Sequence, residues 1–254
     1  MSKHRVVKYN KRPNNFGGPL KYKPILVSDS KGNYLKQHAH IIEEKGYSID
    51  FACKGGLRFL DQYFWLKNNL KRKVNIYKHV VLYIWLGTCD LTVKNRVIYT
   101  DSNNRKVRRN YIDLRHSSDS AAVTYVEDQI RKYLAFVSHF PTVKIVFLKI
   151  PYYSIQLYNK YLGNENYASF KENDFRLTDR IALINDFIQE VNKANSVNSP
   201  NFKRDLQNDR KAHGDISSRS TLDFSLYKDG IHPNSDLAYC WMKKIITQIF
   251  VDCK

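Results

Sequence analysis

Residues 24–32 have the sequence PILVSDSKG, in which three consecutive aliphatic residues lead directly into a polar turn. The apolar run Ile25–Val27 is typical of a short strand buried on both faces of a parallel sheet. Ser28–Gly32 predicts a turn, and a helix is expected near Asn33–Lys45. The stretch therefore predicts a strand, a turn and a helix in immediate succession, which is the repeating unit of α/β folds.

The same unit recurs along the chain. Further buried strands are predicted at Tyr47–Ala52, Val80–Leu86 and Val143–Ile150. Helices are predicted from apolar residues at helical spacing: one after Gly56, one from about Ser118 to Pro141, one over Asp174–Asn192 and one over Asn234–Val251. This alternation predicts a mainly parallel central sheet flanked by helices. Ligands of such sheets bind beyond the carboxyl ends of the strands.

Composition narrows the class of protein. The 254 residues are 43% hydrophobic and 26% charged, which suits one large or two small globular domains and excludes a collagenous or wholly disordered chain. The longest apolar run, Val80–Leu86, is far too short for a membrane span. The four cysteines lack zinc-site spacing, and no apolar signal segment precedes Pro24, so we expect free thiols and an intracellular protein, cytoplasmic or nuclear.

The charge is strongly basic, with 42 Lys and Arg against 24 Asp and Glu and a net charge of +18. Residues 1–23 carry seven of these cations and no acid, which predicts a flexible basic arm before a single domain over residues 24–254. A basic hairpin insertion is expected near residues 94–116, with strands at Val97–Tyr99 and Tyr111–Leu114. Such charge attracts polyanions, although solvated surface charge is its simpler interpretation.

The hairpin and a later polar segment leave two open points. Arg105, Lys106, Arg108 and Arg109 lie near aromatic residues and are candidates for binding RNA or DNA. The polar stretch Ser196–Thr221 predicts a long surface loop, which could cover a site or stay apart from it.

Three residues suggest nucleophilic catalysis. Ser30 follows the first strand, at the turn into a helix, where backbone N–H groups favour developing negative charge. His232 could remove the hydroxyl proton of Ser30, and Asp229, three residues earlier, could hold the imidazole in one tautomer. The simpler interpretations are that Ser30 is a helix N-cap and that Asp229 and His232 belong to an ordinary turn.

Four segments, taken in order, resemble the four sequence blocks of the SGNH/GDSL hydrolases: Ser28–Ser30, Gly55–Gly56, Gly87–Asp90 and Asp229–Asn234. The resemblance spans about Pro24 to Val251. It implies a three-layer, flavodoxin-like α/β fold and an esterase of small acyl or acetyl esters that needs no metal and no cofactor.

Residue by residue, the resemblance implies that Ser30 is the nucleophile, His232 the general base and Asp229 its orienting partner. It places the backbone N–H groups of Ser30 and Gly56 in the oxyanion hole, where Cys89 replaces the usual asparagine. A thiol is a weak donor, so Cys89 could be a poor oxyanion ligand, a small buried filler or, least in keeping with its neighbours, a thiol nucleophile.

Two other functions remain open at this point. The first is a catalytically weak or silent module of this fold that binds nucleic acid, since SGNH-like domains also occur in proteins encoded by mobile elements. The second is a protein-interaction domain that retains the fold and uses its surface. Neither the substrate nor the oligomeric state follows from the sequence.

Overall fold

The computed structural model describes residues 2–14, 16–100, 104–208 and 221–254. A 3₁₀ helix at Tyr167–Phe170 accompanies the named elements. In chain order these elements are α1 (Ser2–Asn10), β1 (Lys23–Ser28), α2 (Ser30–Lys36), α3 (His40–Glu43), β2 (Asp50–Cys53), α4 (Phe59–Tyr77), β3 (Val80–Trp85), α5 (Thr88–Leu91), β4 (Thr92–Thr100), β5 (Lys106–Leu114), α6 (Asp119–Val137), β6 (Val143–Phe147), α7 (Ile155–Tyr161), α8 (Lys171–Ala194), α9 (Lys203–Leu206), β7 (Gln207–Asn208), β8 (Thr221–Leu222) and α10 (Ser235–Asp252).

The central sheet is parallel and has the strand order β2-β1-β3-β6. All six residues of β3 are buried, because helices cover both faces of the sheet and leave no polar face to solvate. The order changes direction at β1, so β1 and β3 end side by side with β2 on the far side of β1. This is the switch point at which α/β sheets bind ligands.

The helices form two groups around the sheet. Helices α2 and α10 contact each other, whereas α6 contacts both α4 and α8. The expected three-layer α/β architecture is therefore confirmed. Within the part of the chain that the structure describes, no helix combines the length and the apolar character that crossing a membrane requires.

The amino-terminal segment differs from the flexible arm predicted for residues 1–23. Ser2–Asn10 form the helix α1, whose Val6 side chain is buried. The ammonium group of Lys243 on α10 donates hydrogen bonds to the carbonyl oxygens of Tyr9, Asn10 and Arg12. The flexible-arm prediction is wrong for these residues because an apolar contact and a cation at the carbonyl-bearing end of α1 fix it on the domain.

Other element boundaries differ more modestly. The helix expected over Asn33–Lys45 is divided into α2 and α3, since the N–H groups of His38 and Ala39 bond to carbonyls three residues back and tighten the chain. The hairpin strands β4 and β5 are each longer than predicted. The loop predicted over Ser196–Thr221 contains α9 and β7, and its residues 209–220 lie outside the described residues.

Candidate active site

The candidate nucleophile lies at the first turn after β1. Asp29, not Ser30, caps α2, because the Asp29 side chain accepts a hydrogen bond from the N–H of Lys31 at 3.0 Å. The N-cap interpretation of Ser30 is therefore wrong. Its hydroxyl oxygen instead lies 3.0 Å from Nε2 of His232, although 202 residues separate the two in sequence. This distance is within the range needed for direct proton transfer.

The imidazole of His232 is held from its other side by Asp229. Nδ1 of His232 lies 2.6 Å from Oδ2 of Asp229, while Oδ1 of the same carboxylate accepts the backbone N–H groups of Ile231 and His232 at 2.9 and 2.8 Å. Partial burial would raise the pKa of Asp229, but these hydrogen bonds outweigh burial and leave it below its usual value. Asp229 is thus ionised and fixes the Nδ1–H tautomer, with Nε2 free to accept.

The loop that carries this pair depends on Gly230, which has a backbone φ of 95°. A Cβ at this position would lie 2.8 Å from Cβ of Leu157 and 2.9 Å from the backbone nitrogen of Tyr158. Only glycine adopts this positive φ without strain and has no Cβ that would displace α7. Pro233 follows, and the side chain of Asn234 caps α10 by accepting the Leu237 N–H at 3.0 Å. The loop is therefore rigid at both ends.

Ser30 and His232 open onto a cavity of about 410 Å³. This volume falls in the range of small-molecule sites. The predicted oxyanion residues Gly56 and Cys89 line the same cavity, as does Gly55, where an added Cβ would lie 3.6 Å from that of Ser30. The structure thus brings together the residues of all four sequence segments, from β1, β2, β3 and the loop before α10.

Cys89 lies in the short helix after β3. Burial, followed by the nearby charge of Asp29, raises the pKa of the Cys89 thiol to about 12. The thiol is therefore protonated at neutral pH, which argues against a thiolate nucleophile and leaves the interpretations of filler and weak donor. The backbone carbonyl of Cys89 accepts a hydrogen bond from Nε of Arg115 at 3.1 Å, which fixes the loop from outside.

A buried ion pair lies directly beside the nucleophile. The ammonium group of Lys31 is 2.5 Å from Oδ2 of Asp29, and both side chains are 1% exposed. The same ammonium also donates to the hydroxyl of Thr88. Lys31 therefore connects Asp29, at the turn after β1, to Thr88 at the start of α5, the residues that directly precede Ser30 and Cys89.

Two aromatic and two basic residues at the cavity are among those not predicted as site residues from the sequence. Ring centroids of Tyr34 and Tyr158 lie 5.1 and 6.3 Å from that of His232, so the imidazole is flanked by aromatic rings. Lys94 and Arg115 also line the cavity. The spacing of Tyr34 four residues after Ser30 on one helix was an available signal. Lys94, Arg115 and Tyr158 reach the site only through tertiary contacts.

The four residues predicted to bind nucleic acid differ in their surroundings: three are exposed, and Arg109 contacts other parts of the chain. Arg105, Lys106 and Arg108 have exposed side chains. Arg109 instead donates a hydrogen bond to the carbonyl of Gly163 and lies 3.6 Å from Glu165. Nucleic-acid binding by these residues stays a prediction. No cluster of three or more His, Cys, Asp or Glu suited to a metal ion is found among the described residues.

Comparison with solved structures decides the architecture. A lipase/acylhydrolase from Enterococcus faecalis is similar in structure, and the aligned region covers 92% of this chain and 97% of that protein. The two are 15% identical in sequence, with a TM-score of 0.52. LAE5, an α/β hydrolase enzyme from the metagenome of Lake Arreo, Spain, is similar over 91% of this chain and 96% of its own length, with 14% identity and a TM-score of 0.52. The chain has the same α/β fold as these two hydrolases. No protein-family description and no curated protein sequence matches it. Ser30 is the second residue after β1 and the first residue of α2.

Proposed function

We propose that this protein is a serine esterase that hydrolyses small acyl or acetyl esters. The observation that carries the proposal is the continuous chain of contacts from the Ser30 hydroxyl through His232 to the Asp229 carboxylate, with Ser30 and His232 open to one cavity. The description of the Enterococcus faecalis protein as a lipase/acylhydrolase agrees with it.

The geometry supports an acyl-enzyme mechanism. As Oγ of Ser30 attacks the ester carbonyl carbon, its proton passes to Nε2 of His232, and the carbonyl oxygen becomes an oxyanion. His232 then protonates the leaving alcohol, and the acyl group stays on Ser30. Water, deprotonated by the same nitrogen, attacks the acyl carbon. The bond from this carbon to Oγ of Ser30 then breaks, His232 returns the proton to Oγ, and the acid leaves. Asp229 stabilises the imidazolium that forms in both steps.

Oxyanion stabilisation in this proposal comes mainly from backbone N–H groups. Ser30 and Gly56 supply two donors, and the protonated Cys89 thiol supplies a third, weaker one. Loss of a strong oxyanion donor typically lowers kcat by about 10²–10³. We therefore expect a slow esterase whose catalytic proton transfers are intact.

The test is hydrolysis of 4-nitrophenyl acetate and butyrate by the full chain. Ser30→Ala and His232→Ala should each lower kcat by at least about 10³. His139→Ala is the matched control, because His139 is exposed, lies just after the end of α6 and does not line the cavity. If His232→Ala hydrolyses these esters as fast as His139→Ala, the triad assignment is wrong.

A further inference from the structure

The wall of the catalytic cavity is cationic. Its lining includes the basic side chains of Lys94 and Arg115, and the described lining includes no Asp or Glu. Arg115 interacts electrostatically with Asp61 and Asp90, which do not line the cavity. Cations on a cavity wall attract anions over several ångströms, and more strongly where solvent is partly excluded. The cavity is therefore biased toward negatively charged molecules.

The guanidinium group of Arg115 is fixed by two hydrogen bonds and carries further N–H donors. Its Nε and Nη2 atoms donate to the carbonyl oxygens of Cys89 and Thr92 at 3.1 and 3.3 Å. Within the described part of the chain, Nη1 has no hydrogen-bond acceptor. The guanidinium group is therefore fixed at the cavity wall while one nitrogen stays available to a ligand oxygen.

Lys94 marks the start of a longer cationic stripe. Side chains two residues apart on a strand share a face, so Arg96 follows Lys94 on the face of β4 that begins at the cavity. In the register of the hairpin, Arg108 of β5 lies opposite Ile98, the next residue on that face. Lys94, Arg96 and Arg108 all have exposed side chains. We call these three residues the hairpin stripe.

The opposite face of the hairpin is used by the fold. Arg109, one residue after Arg108, donates to the Gly163 carbonyl and lies 3.6 Å from Glu165. Asp113 on the same face accepts a hydrogen bond from the amide of Asn173 at 2.6 Å. The face continuous with the cavity is thus the one whose cations point away from these internal contacts.

We propose that the preferred substrate is an acylated polyanion, with one anionic group bound by Lys94 and Arg115 beside the scissile ester and further negative charges along the hairpin stripe. The inference rests on the proposed esterase function. A polyuronate that carries acetyl esters has the required chemistry: carboxylates at regular intervals and an acetyl group small enough for the 410 Å³ cavity.

The test compares chemically acetylated polygalacturonate with acetylated xylan, a neutral polymer, by acetate release. A small matched pair, 4-acetoxybenzoate and its methyl ester, is measured alongside, each rate divided by that of alkaline hydrolysis. We expect kcat/KM to be about fivefold higher for the anionic member of each pair, the size of one partly exposed ion pair. Added salt should reduce the preference for the polymer.

Variants locate the effect. Lys94→Gln should reduce the anionic preference for both pairs, whereas Arg96→Gln and Arg108→Gln should reduce it for the polymer more than for the small ester. Lys132→Gln is the charge-matched control, because Lys132 is exposed on α6 and outside the cavity. It should leave both preferences as in the native chain.

The outcomes separate the two proposals. Hydrolysis of neutral and anionic esters with equal efficiency, or a preference that Lys94→Gln does not reduce, overturns the polyanion assignment and leaves the esterase intact. Competition by single-stranded RNA without any preference for the acetylated polyuronate also overturns it, in favour of a nucleic-acid surface. If no ester is hydrolysed and Ser30 does not react with a fluorophosphonate, the esterase proposal fails and the polyanion assignment falls with it.

Discussion

Replacement of Cys89 by asparagine tests whether this side chain belongs to the oxyanion hole. The thiol lies on the wall of the cavity that Ser30 and His232 share, and burial raises its pKa to about 12, so it is a neutral, weak donor. Asparagine presents an amide N–H₂ group from a side chain of similar size. In the proposed mechanism this amide replaces the thiol as the third oxyanion donor.

The expected magnitude follows from the donors already present. A full oxyanion donor contributes about 2.7–4 kcal/mol to the transition state, equivalent to about 10²–10³ in kcat. The Cys89 thiol supplies part of this, so Cys89→Asn should raise kcat by about 10- to 100-fold. Cys89→Ala removes the weak donor and should lower kcat by up to about tenfold, with Cys89→Ser between the native chain and the asparagine variant.

The assay is single-turnover acylation of Ser30 by 4-nitrophenyl acetate, which reports the chemical step directly. Thermal unfolding of each variant shows that the fold is retained. The acylation rate should increase in the order Ala, Cys, Ser, Asn at position 89. If the folded asparagine variant is no faster than the alanine variant, Cys89 does not contact the oxyanion and serves only as a buried filler.

Three further predictions concern ionisable groups around the site. Burial raises the pKa of Asp90 to about 7 against the usual 3.8, so the folded state binds this proton more tightly and loses stability as pH rises from about 4 to 7. In urea titrations, Asp90→Asn should therefore stabilise the chain by about 2–3 kcal/mol more at pH 8 than at pH 5. An equal gain in stability at both pH values would contradict this. Lys31→Met should lower the free energy of unfolding by about 3–5 kcal/mol because it leaves the buried carboxylate of Asp29 unpaired. Adding Asp29→Asn should recover part of that loss. If the double variant recovers none of it, loss of the ion pair does not cause the loss of stability. Asp229→Asn should lower kcat by about 10²–10⁴ because the favoured His232 tautomer is lost, while KM changes little; a kcat within tenfold of the native value would refute its orienting role.

The fold could be predicted because local and global signals agree. Aliphatic runs such as Ile25–Val27 and Val80–Leu86 are explained by burial on both faces of a parallel sheet, and glycines and polar residues mark their ends. Ser30 was a candidate because it follows the first strand at the turn into a helix, whereas Asp229 and His232 were joined to it by their three-residue spacing and by the resemblance of their loop to the last SGNH/GDSL block.

Other features could not be predicted because long-range contacts create them. The amino-terminal segment has the composition of a solvated arm, and its helix is fixed by Lys243, more than 200 residues away. Lys94 and Arg115 have no motif around them, and only the register of β4 and β5 places them at the cavity. Ser30 has the residue type of an N-cap, yet Asp29 takes that role once the strand ends at Ser28.

In the proposed mechanism His232 activates Ser30 as a nucleophile, and labelling with a fluorophosphonate tests this activation without knowledge of the substrate. Peptide mass mapping of the native chain should show modification at Ser30, absent in Ser30→Ala and at least about 10²-fold slower in His232→Ala, with His139→Ala labelled like the native chain. A folded native chain that stays unlabelled, or labelling that is equally fast in His232→Ala, would show that His232 does not activate Ser30.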